Sequence, residues 1–202
     1  MRWLRHITLL AVMSLLSACG TTPAERFYTL NAPAAAPAPT SPPGNMPAPY
    51  SVALGAVELP EMVDRPQLVV RTSANRVAVL EQQRWAEPLN SAIPRVLAAS
   101  LSAQLGGIQV AVRGAAAARN AKYRVAVKIV QLESELDRAV TLEASWSIRS
   151  TSGGALPGGR LQLREGTQGS GFEALVAAHE RALVRLSAEL AQGIQAAERA
   201  KP

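Results

Sequence analysis

The sequence has one cysteine, two histidines and only three lysines among its 202 residues. One cysteine cannot form an internal disulfide, and it cannot build a zinc site of the kind that uses cysteine pairs. No phosphate-binding loop is evident, since the glycine-rich segment 153–159 lacks the lysine and the serine or threonine that such loops need. Neither a nucleophile elbow nor a positioned acid–base pair is evident. These absences leave few enzyme classes open, and we predict no metal site.

Two groups of titratable residues could still supply acid–base or metal-binding chemistry. Glu133, Glu135 and Asp137 follow an i, i+2, i+4 spacing at the end of a predicted strand. They would either bind a cation or form a solvated turn, and we favour the turn. His179 lies on the apolar stripe of a predicted helix, where we expect a lone histidine to be packed or partly exposed rather than to bind a ligand. An enzyme acting on envelope glycans would have to draw its acid and base from these four residues.

The N-terminal apolar run is too short to cross a membrane as a helix, which takes about 20 residues. This run, residues 7–16, follows Arg2 and Arg5, and the combination is typical of an export signal. Residues 16–19 (LSAC) then match the bacterial lipoprotein box, in which small residues precede a cysteine whose thiol accepts a diacylglycerol. The alternative is an uncleaved signal anchor with an incidental cysteine. We predict cleavage after residue 18, which leaves Cys19 as the acylated N-terminus.

The residue after the cysteine indicates the destination of the chain. Position 20 is glycine, whereas an aspartate there commonly signals retention in the inner membrane. Two or three acyl chains anchor firmly, because each buried methylene contributes about 0.8 kcal/mol. We therefore expect the chain on the periplasmic face of the outer membrane, held there by the lipid on Cys19.

The charge pattern gives no indication of nucleic acid binding. The full chain has 21 basic and 15 acidic residues, and removal of Arg2 and Arg5 leaves 19 basic residues, an excess of +4. The arginines are spread along predicted strands and helices rather than gathered in the basic patch that nucleic acid binders need. Since the chain is also predicted to be exported, we expect no nucleic acid partner.

The chain divides into three parts. Residues 1–18 form the signal peptide. Residues 19–49 contain the lipidated cysteine, a short β-prone patch at 27–30, and an Ala/Pro-rich linker that should be extended. Residues 50–202 have the length and apolar content of one domain with a single core.

Hydrophobic periodicity predicts the secondary structure of this domain. Alternating apolar residues predict strands at residues 52–59, 67–71, 76–80, 108–112, 122–132, 140–148 and 161–163. The alternation changes phase at Gly55, which indicates a bulge. Apolar residues at helical spacing predict helices at 89–105, capped by Asn90 or Ser91, and at 172–199. The order predicts an α+β fold, with a mostly antiparallel sheet and two main helices packed on one of its faces.

Two short segments contain residues that a plain scaffold does not require. The candidate partner-binding residues are Asp64, Arg65, Pro66, Arg84, Trp85 and Glu87. Trp85 lies at a strand-to-helix junction, where two arrangements are open. It can fold back as a lid on the core with Arg84 and Glu87 paired beside it, which we favour. It can also present an aromatic and arginine patch of the kind found at interaction hot spots.

The same segments resemble a known family. The motifs are Cys19 of the lipoprotein box and residues 27–30 (FYTL), 57–60 (VELP), 64–67 (DRPQ), 84–89 (RWAEPL) and 140–146 (VTLEASW). Through them, nearly the whole chain after the signal peptide resembles the ABC-type transport auxiliary lipoproteins, the PqiC-like intermembrane transport lipoproteins.

The resemblance implies a non-enzymatic role, with no catalytic residue and no cofactor. Such lipoproteins accompany ABC transporters that contain an MCE-domain subunit and move phospholipids or other hydrophobic molecules between the inner and outer membranes. By this resemblance, Cys19 would tether the chain to the outer membrane, and the chain would dock the periplasmic MCE subunit. It also implies that several copies could form a ring, because MCE subunits form rings. The alternative is an assembly or pilot lipoprotein for another outer-membrane complex.

Substitution of Cys19 by serine should abolish acylation. Cells supplied with labelled palmitate should incorporate it into the wild-type chain but not into the Cys19→Ser variant, because a hydroxyl does not replace the thiol in the thioether. Separation of the two membranes on a density gradient then reports where the labelled chain resides. Equal labelling of variant and wild type would contradict lipidation at this residue.

Overall fold

The computed structural model describes residues 3, 23–32, 50–151, 153 and 157–200. The predicted acylation site Cys19, nearly all of the signal peptide and most of the Ala/Pro segment lie outside these residues. Within them the strands are β1 Arg26–Tyr28, β2 Val52–Glu58, β3 Gln67–Ser73, β4 Arg76–Trp85, β5 Val110–Val112, β6 Tyr123–Glu135, β7 Ala139–Ser150 and β8 Gly158–Gly166. The α-helices are α1 Leu89–Gln104 and α2 Gly171–Arg199, and Ala116–Asn120 forms a 3₁₀ helix.

The described strands form two sheets, and the predicted α+β fold is confirmed. A three-stranded sheet has the order β1-β4-β3, and a five-stranded sheet has the order β5-β2-β6-β7-β8. The sheets are mixed rather than purely antiparallel. β1 runs parallel to β4, and β2 runs parallel to both β5 and β6, whereas the other pairs are antiparallel. The parallel pairs join strands that are far apart in sequence, as parallel pairing requires a crossover connection.

Both helices pack on one face of the five-stranded sheet and contact each other. The side chains that β6 and β7 direct to this face are apolar and buried, and they alternate with exposed or half-buried side chains on the other face. The predicted bulge at Gly55 is confirmed by a register shift between Leu54 and Val57. A Cβ atom at Gly55 would lie 3.1 Å from the carbonyl oxygen of Val125, so the bulge brings β2 close to β6.

The start of α1 differs from the prediction. The residue before the helix is Pro88, and no side chain caps its first turn, so neither Asn90 nor Ser91 acts as the cap. Both residues lie inside the helix because the carbonyl of Pro88 already accepts from the backbone N–H groups of Ser91 and Ala92. Pro94 lies in the second turn and has no N–H to donate to the carbonyl of Asn90.

Trp146 of β7 determines how closely α2 approaches the sheet. Its ring lies in a slot between Gly159 of β8 and Gly193 of α2, where added Cβ atoms would come within 2.8 Å and 2.6 Å of the ring. A glycine on each side therefore allows an indole to lie between the helix and the edge of the sheet.

Replacement of Gly193 by valine should lower the free energy of unfolding by about 2 kcal/mol, because overpacking at a tight contact costs about 1–3 kcal/mol. The added atoms would meet both Trp146 and Ile148. Urea denaturation measures the change, and Gln192→Val, at an exposed position of the same helix turn, is the matched control. Trp146→Leu combined with Gly193→Val should recover part of the loss. A Gly193→Val chain as stable as wild type would contradict the tight packing.

Candidate functional site

The two segments singled out in the sequence meet where β4 ends and α1 begins. They enclose a cleft of about 330 Å³. The residues that line it are Asp64, Arg65, Pro66, Trp85, Ala86, Glu87, Pro88 and Asn90, and we call it the Trp85 cleft. Five of the six candidate partner-binding residues therefore lie around one concavity, although the two segments are about 20 residues apart in the chain.

Backbone hydrogen bonds from three parts of the chain hold the Trp85 cleft. The N–H of Trp85 donates to the carbonyl of Pro66 at 2.7 Å, which ties the loop before β3 to the end of β4. The N–H of Ala86 donates to the carbonyl of Tyr28 at 2.8 Å, which ties β1 to the same point. The short N-terminal strand, predicted as a patch at residues 27–30, thus belongs to the folded unit that forms the site.

Trp85 packs in the core beneath the cleft. Only 7% of its surface is exposed. Its ring contacts the imidazole of His179 on α2 edge to face, with the ring centroids 5.5 Å apart and the planes at 80°. The burial of Trp85 agrees with the predicted lid on the core. Trp85 also lines the cleft, so a small part of its side chain faces solvent.

The ion pair expected beside Trp85 between Arg84 and Glu87 is absent. Arg84 instead bonds to Glu25 at 2.9 Å, because successive strand residues point to opposite faces and Arg84 therefore lies on the other side of β4. Glu87 pairs with Arg95, which α1 brings within reach. Arg95 also donates to the carbonyl of Leu30 at 2.9 Å, so this pair ties α1 to the end of the N-terminal segment.

The rim of the Trp85 cleft is charged and exposed. The Asp64 carboxylate accepts a hydrogen bond from the Asn90 side chain at 3.3 Å. Arg65 is exposed and has no carboxylate within ion-pairing distance among the described residues. An aromatic floor below a rim with charges of both signs is an arrangement suited to binding a protein surface.

His179 is fully buried and hydrogen-bonded through both ring nitrogens. Nδ1 lies 2.9 Å from the carbonyl oxygen of Leu175, and because a carbonyl only accepts, this nitrogen carries the proton. Nε2 then accepts a hydrogen bond from the hydroxyl of Ser134 on β6, at 3.0 Å. Burial lowers the pKa of His179 from 6.5 to about 4 and outweighs the opposing effect of the Leu175 carbonyl. The imidazole is therefore neutral at neutral pH, as predicted for a packed core histidine.

The acidic run at the end of β6 is engaged in separate contacts. Arg71 forms a bidentate pair with Glu133 and lowers the pKa of that carboxyl. Arg164 bonds to Glu135 and has the same effect on its pKa.

Asp137 forms an ion pair with neither Arg71 nor Arg164. Its carboxylate instead accepts from the N–H of Gly171, at 2.6 Å, at the first residue of α2. Within the described ranges, no three side chains of the kinds that bind metals come together. Glu133 and Glu135 also point to the opposite face of β6 from Ser134 and His179, so the four residues that an enzyme would need do not form one site.

Sequence reasoning did not detect the contact between Trp85 and His179. The available signal was the position of His179 on the apolar stripe of its helix, which indicates burial but not the partner. The partner depends on how α2 lies across both sheets.

The structure is an α+β domain with a cleft at a strand-to-helix junction. In the described part of the chain, no helix is both long enough and apolar enough to span a bilayer. The family model of the ABC-type transport auxiliary lipoprotein component matches residues 28–191, and the chain belongs to this family. The resemblance drawn from the sequence motifs is thereby confirmed.

Solved structures share the fold at low sequence identity. A crystal structure of an uncharacterized protein is 20% identical with a TM-score of 0.68, and the match covers 85% of this chain and 99% of that one. Protein XCC0632 from Xanthomonas campestris, of the family DUF330, is 18% identical with a TM-score of 0.66, covering 88% and 99%. A PelC dodecamer from Paraburkholderia phytofirmans is 13% identical with a TM-score of 0.42, covering 69% and 86%. No curated protein matches the chain.

Acid should destabilise the fold through His179. Between pH 6.5 and about 4 the unfolded chain binds a proton that the folded chain excludes, so the free energy of unfolding should fall by about 3 kcal/mol across this interval. Above pH 6.5 both states are neutral and the residue adds no pH dependence. Urea titrations of wild type and His179→Gln at pH 7, 5.5 and 4 measure this change. The carboxylates titrate in both chains, so the difference between the two pH profiles reports the contribution of His179. Parallel pH profiles for the two chains would contradict the prediction.

Proposed function

We propose that this chain is the lipid-anchored docking subunit of an MCE-type ABC transport system, which moves phospholipid or other hydrophobic molecules between the inner and outer membranes. Membership of the auxiliary lipoprotein family supports the association with an ABC transporter. The MCE-domain partner and the outer membrane follow from the resemblance of the motifs and from Gly20 after the predicted acylated cysteine. The chain acts by binding rather than by catalysis.

The observation that carries the proposal is the convergence of the signature residues on the Trp85 cleft. Asp64, Arg65 and Pro66 form an exposed edge opposite Glu87, and Trp85 lies between them. Buried aromatic residues under a charged rim are typical of the centres of protein interfaces. A folded scaffold alone would not require the exposed members of this group.

The length of the tether agrees with docking at this cleft. If Cys19 carries the lipid, only residues 20–25 separate it from the first residue of β1, and these span at most about 20 Å. β1 runs parallel to β4 and Tyr28 pairs with Trp85, so the cleft lies at the C-terminal ends of both strands. A short tether would thus hold the domain close to its membrane and direct the cleft towards a partner in the periplasm.

Capture of the partner tests the proposal. The full-length lipidated chain, crosslinked in intact cells and purified, should recover an MCE-domain subunit. The Arg65→Glu variant should recover markedly less at an unchanged melting temperature, because Arg65 is exposed and has no ion pair within the described residues. Arg76→Glu, which reverses an exposed charge in the β3–β4 turn, is the matched control and should bind like wild type.

Trp85→Ala serves a different purpose. Loss of a buried tryptophan should lower the free energy of unfolding by about 3–5 kcal/mol, so this variant reports on the core rather than on docking. Failure of the wild type to capture any MCE subunit would refute the transport role, and capture of another outer-membrane assembly would favour the pilot alternative. Normal capture of the MCE subunit by Arg65→Glu would indicate that the docking surface lies outside the cleft.

A further inference from the structure

Strand β2 has an open edge beyond the end of β5. β5 pairs only with residues 52–54 of β2, in the register Val52 to Val110 through Leu54 to Val112. β2 continues to Glu58, and its other edge pairs with β6. On the β5 side, no strand of the described chain pairs with residues 55–58, which amount to about 13 Å of strand edge.

A cleft lies on each face of the sheet beside this open edge. On the helix side, a cleft of about 440 Å³ lies between residues 55–57 and the first turns of α1, including Pro94 and Arg95. On the other side, a cleft of about 520 Å³ lies between Gly55 and the 3₁₀ helix. The two clefts share Gly55, Ala56 and Arg113, so they adjoin around the edge.

The two clefts are lined by arginines and by no carboxylate. Arg95 and Arg113 line the helix-side cleft, and Arg113, Arg119 and Arg124 line the other one. Arg95 is already paired with Glu87, and Arg124 donates to the carbonyl of Arg119. Within the described residues, the side chains of Arg113 and Arg119 have no ion-pair partner. Arg113 and Arg119 therefore give a local positive charge beside Gly55 and Ala56. Glu58, the last residue of the edge, is acidic and forms an exposed ion pair with Lys128 at 3.7 Å.

We propose that this edge binds an extended acidic segment of another protein, which adds to β2 as a short strand in line with β5. Neighbouring residues of a strand point to opposite faces, so two successive acidic residues would enter the two clefts. Backbone hydrogen bonds to residues 55–58 would supply affinity, and the arginines would select for negative charge. The small side chains at Gly55 and Ala56 leave room for the added backbone.

A second explanation is that the arginines only protect the edge. Charged side chains at exposed strands prevent unwanted pairing between sheets. Protection predicts that no peptide binds in a saturable way, whereas the proposal predicts binding that depends on both the backbone and the charge of the ligand. The two explanations therefore differ in a measurable result.

The test uses the full-length lipidated chain in detergent micelles and a fluorescein-labelled hexapeptide. The peptide has two central glutamates flanked by threonine and valine. Fluorescence anisotropy should show saturable binding, and hydrogen exchange at residues 55–58 should slow when the peptide is present. The same peptide with N-methylated backbone nitrogens, and a peptide with two central lysines, should both bind at least tenfold more weakly.

Substitutions of the arginines form the second part of the peptide-binding test. Arg113→Gln and Arg119→Gln should each weaken binding of the acidic peptide about two- to fivefold, the range expected for one partly exposed ion pair. Arg76→Gln removes an equally exposed arginine from the β3–β4 turn and should leave binding unchanged. Arg65→Glu in the Trp85 cleft should also leave peptide binding unchanged, so this site and the proposed docking of the transporter succeed or fail separately.

Four results would overturn the proposal. Equal binding of the N-methylated peptide would mean that charge alone attracts the ligand. Displacement of the peptide by millimolar inorganic phosphate, but not by chloride of the same ionic strength, would indicate a phosphate site. Binding to phosphatidylglycerol vesicles that Arg113→Gln abolishes would indicate a membrane surface. Absence of saturable peptide binding would leave protection of the edge as the role of these arginines.

Discussion

The packing of α2 across both sheets is the interaction on which the rest of the structure depends. Near its start, His179 bonds to Ser134 of the five-stranded sheet and contacts Trp85 of the three-stranded sheet. Near its end, Gly193 receives Trp146. One helix therefore sets the distance to the large sheet and fixes the small sheet against it. The Trp85 cleft keeps its shape because its floor is part of this packing.

The cleft combines a rigid floor with an adaptable rim. The floor is a buried indole that contacts the neutral imidazole of His179, and its backbone bonds to that of Pro66. The rim consists of exposed charged side chains, which contribute little to folding and are available for contacts with a partner. This separation explains why Trp85 belongs to the stability of the fold while Arg65 is the better probe of binding.

Much of the fold could be predicted from the sequence because its signals are local. Alternation in β6 and β7 and the helical stripe of α2 identified buried faces correctly, and the phase change at Gly55 identified the bulge. The predicted pairing of Arg84 with Glu87 was wrong, because strand geometry turns Arg84 to the other face and α1 supplies Arg95. The predicted cap of α1 was wrong because Pro88 already accepts the first hydrogen bonds. Five of the six candidate residues line one cleft, but neither their motifs nor the periodicity revealed that cleft.

The sequence by itself determined most buried faces, the order of the main helices and strands and the family of the chain, since periodicity and motifs depend on residues near one another in the chain. It did not determine the ends of all elements, because β4 and β8 extend beyond their predicted ranges. Only the tertiary structure decided that β1, β2 and β5 form parallel pairs, that Trp85 contacts His179, and that arginines surround an open edge of β2. These features join segments separated by about 40 to 95 residues. Their pairing is determined by the packing of the whole core, which no local pattern encodes.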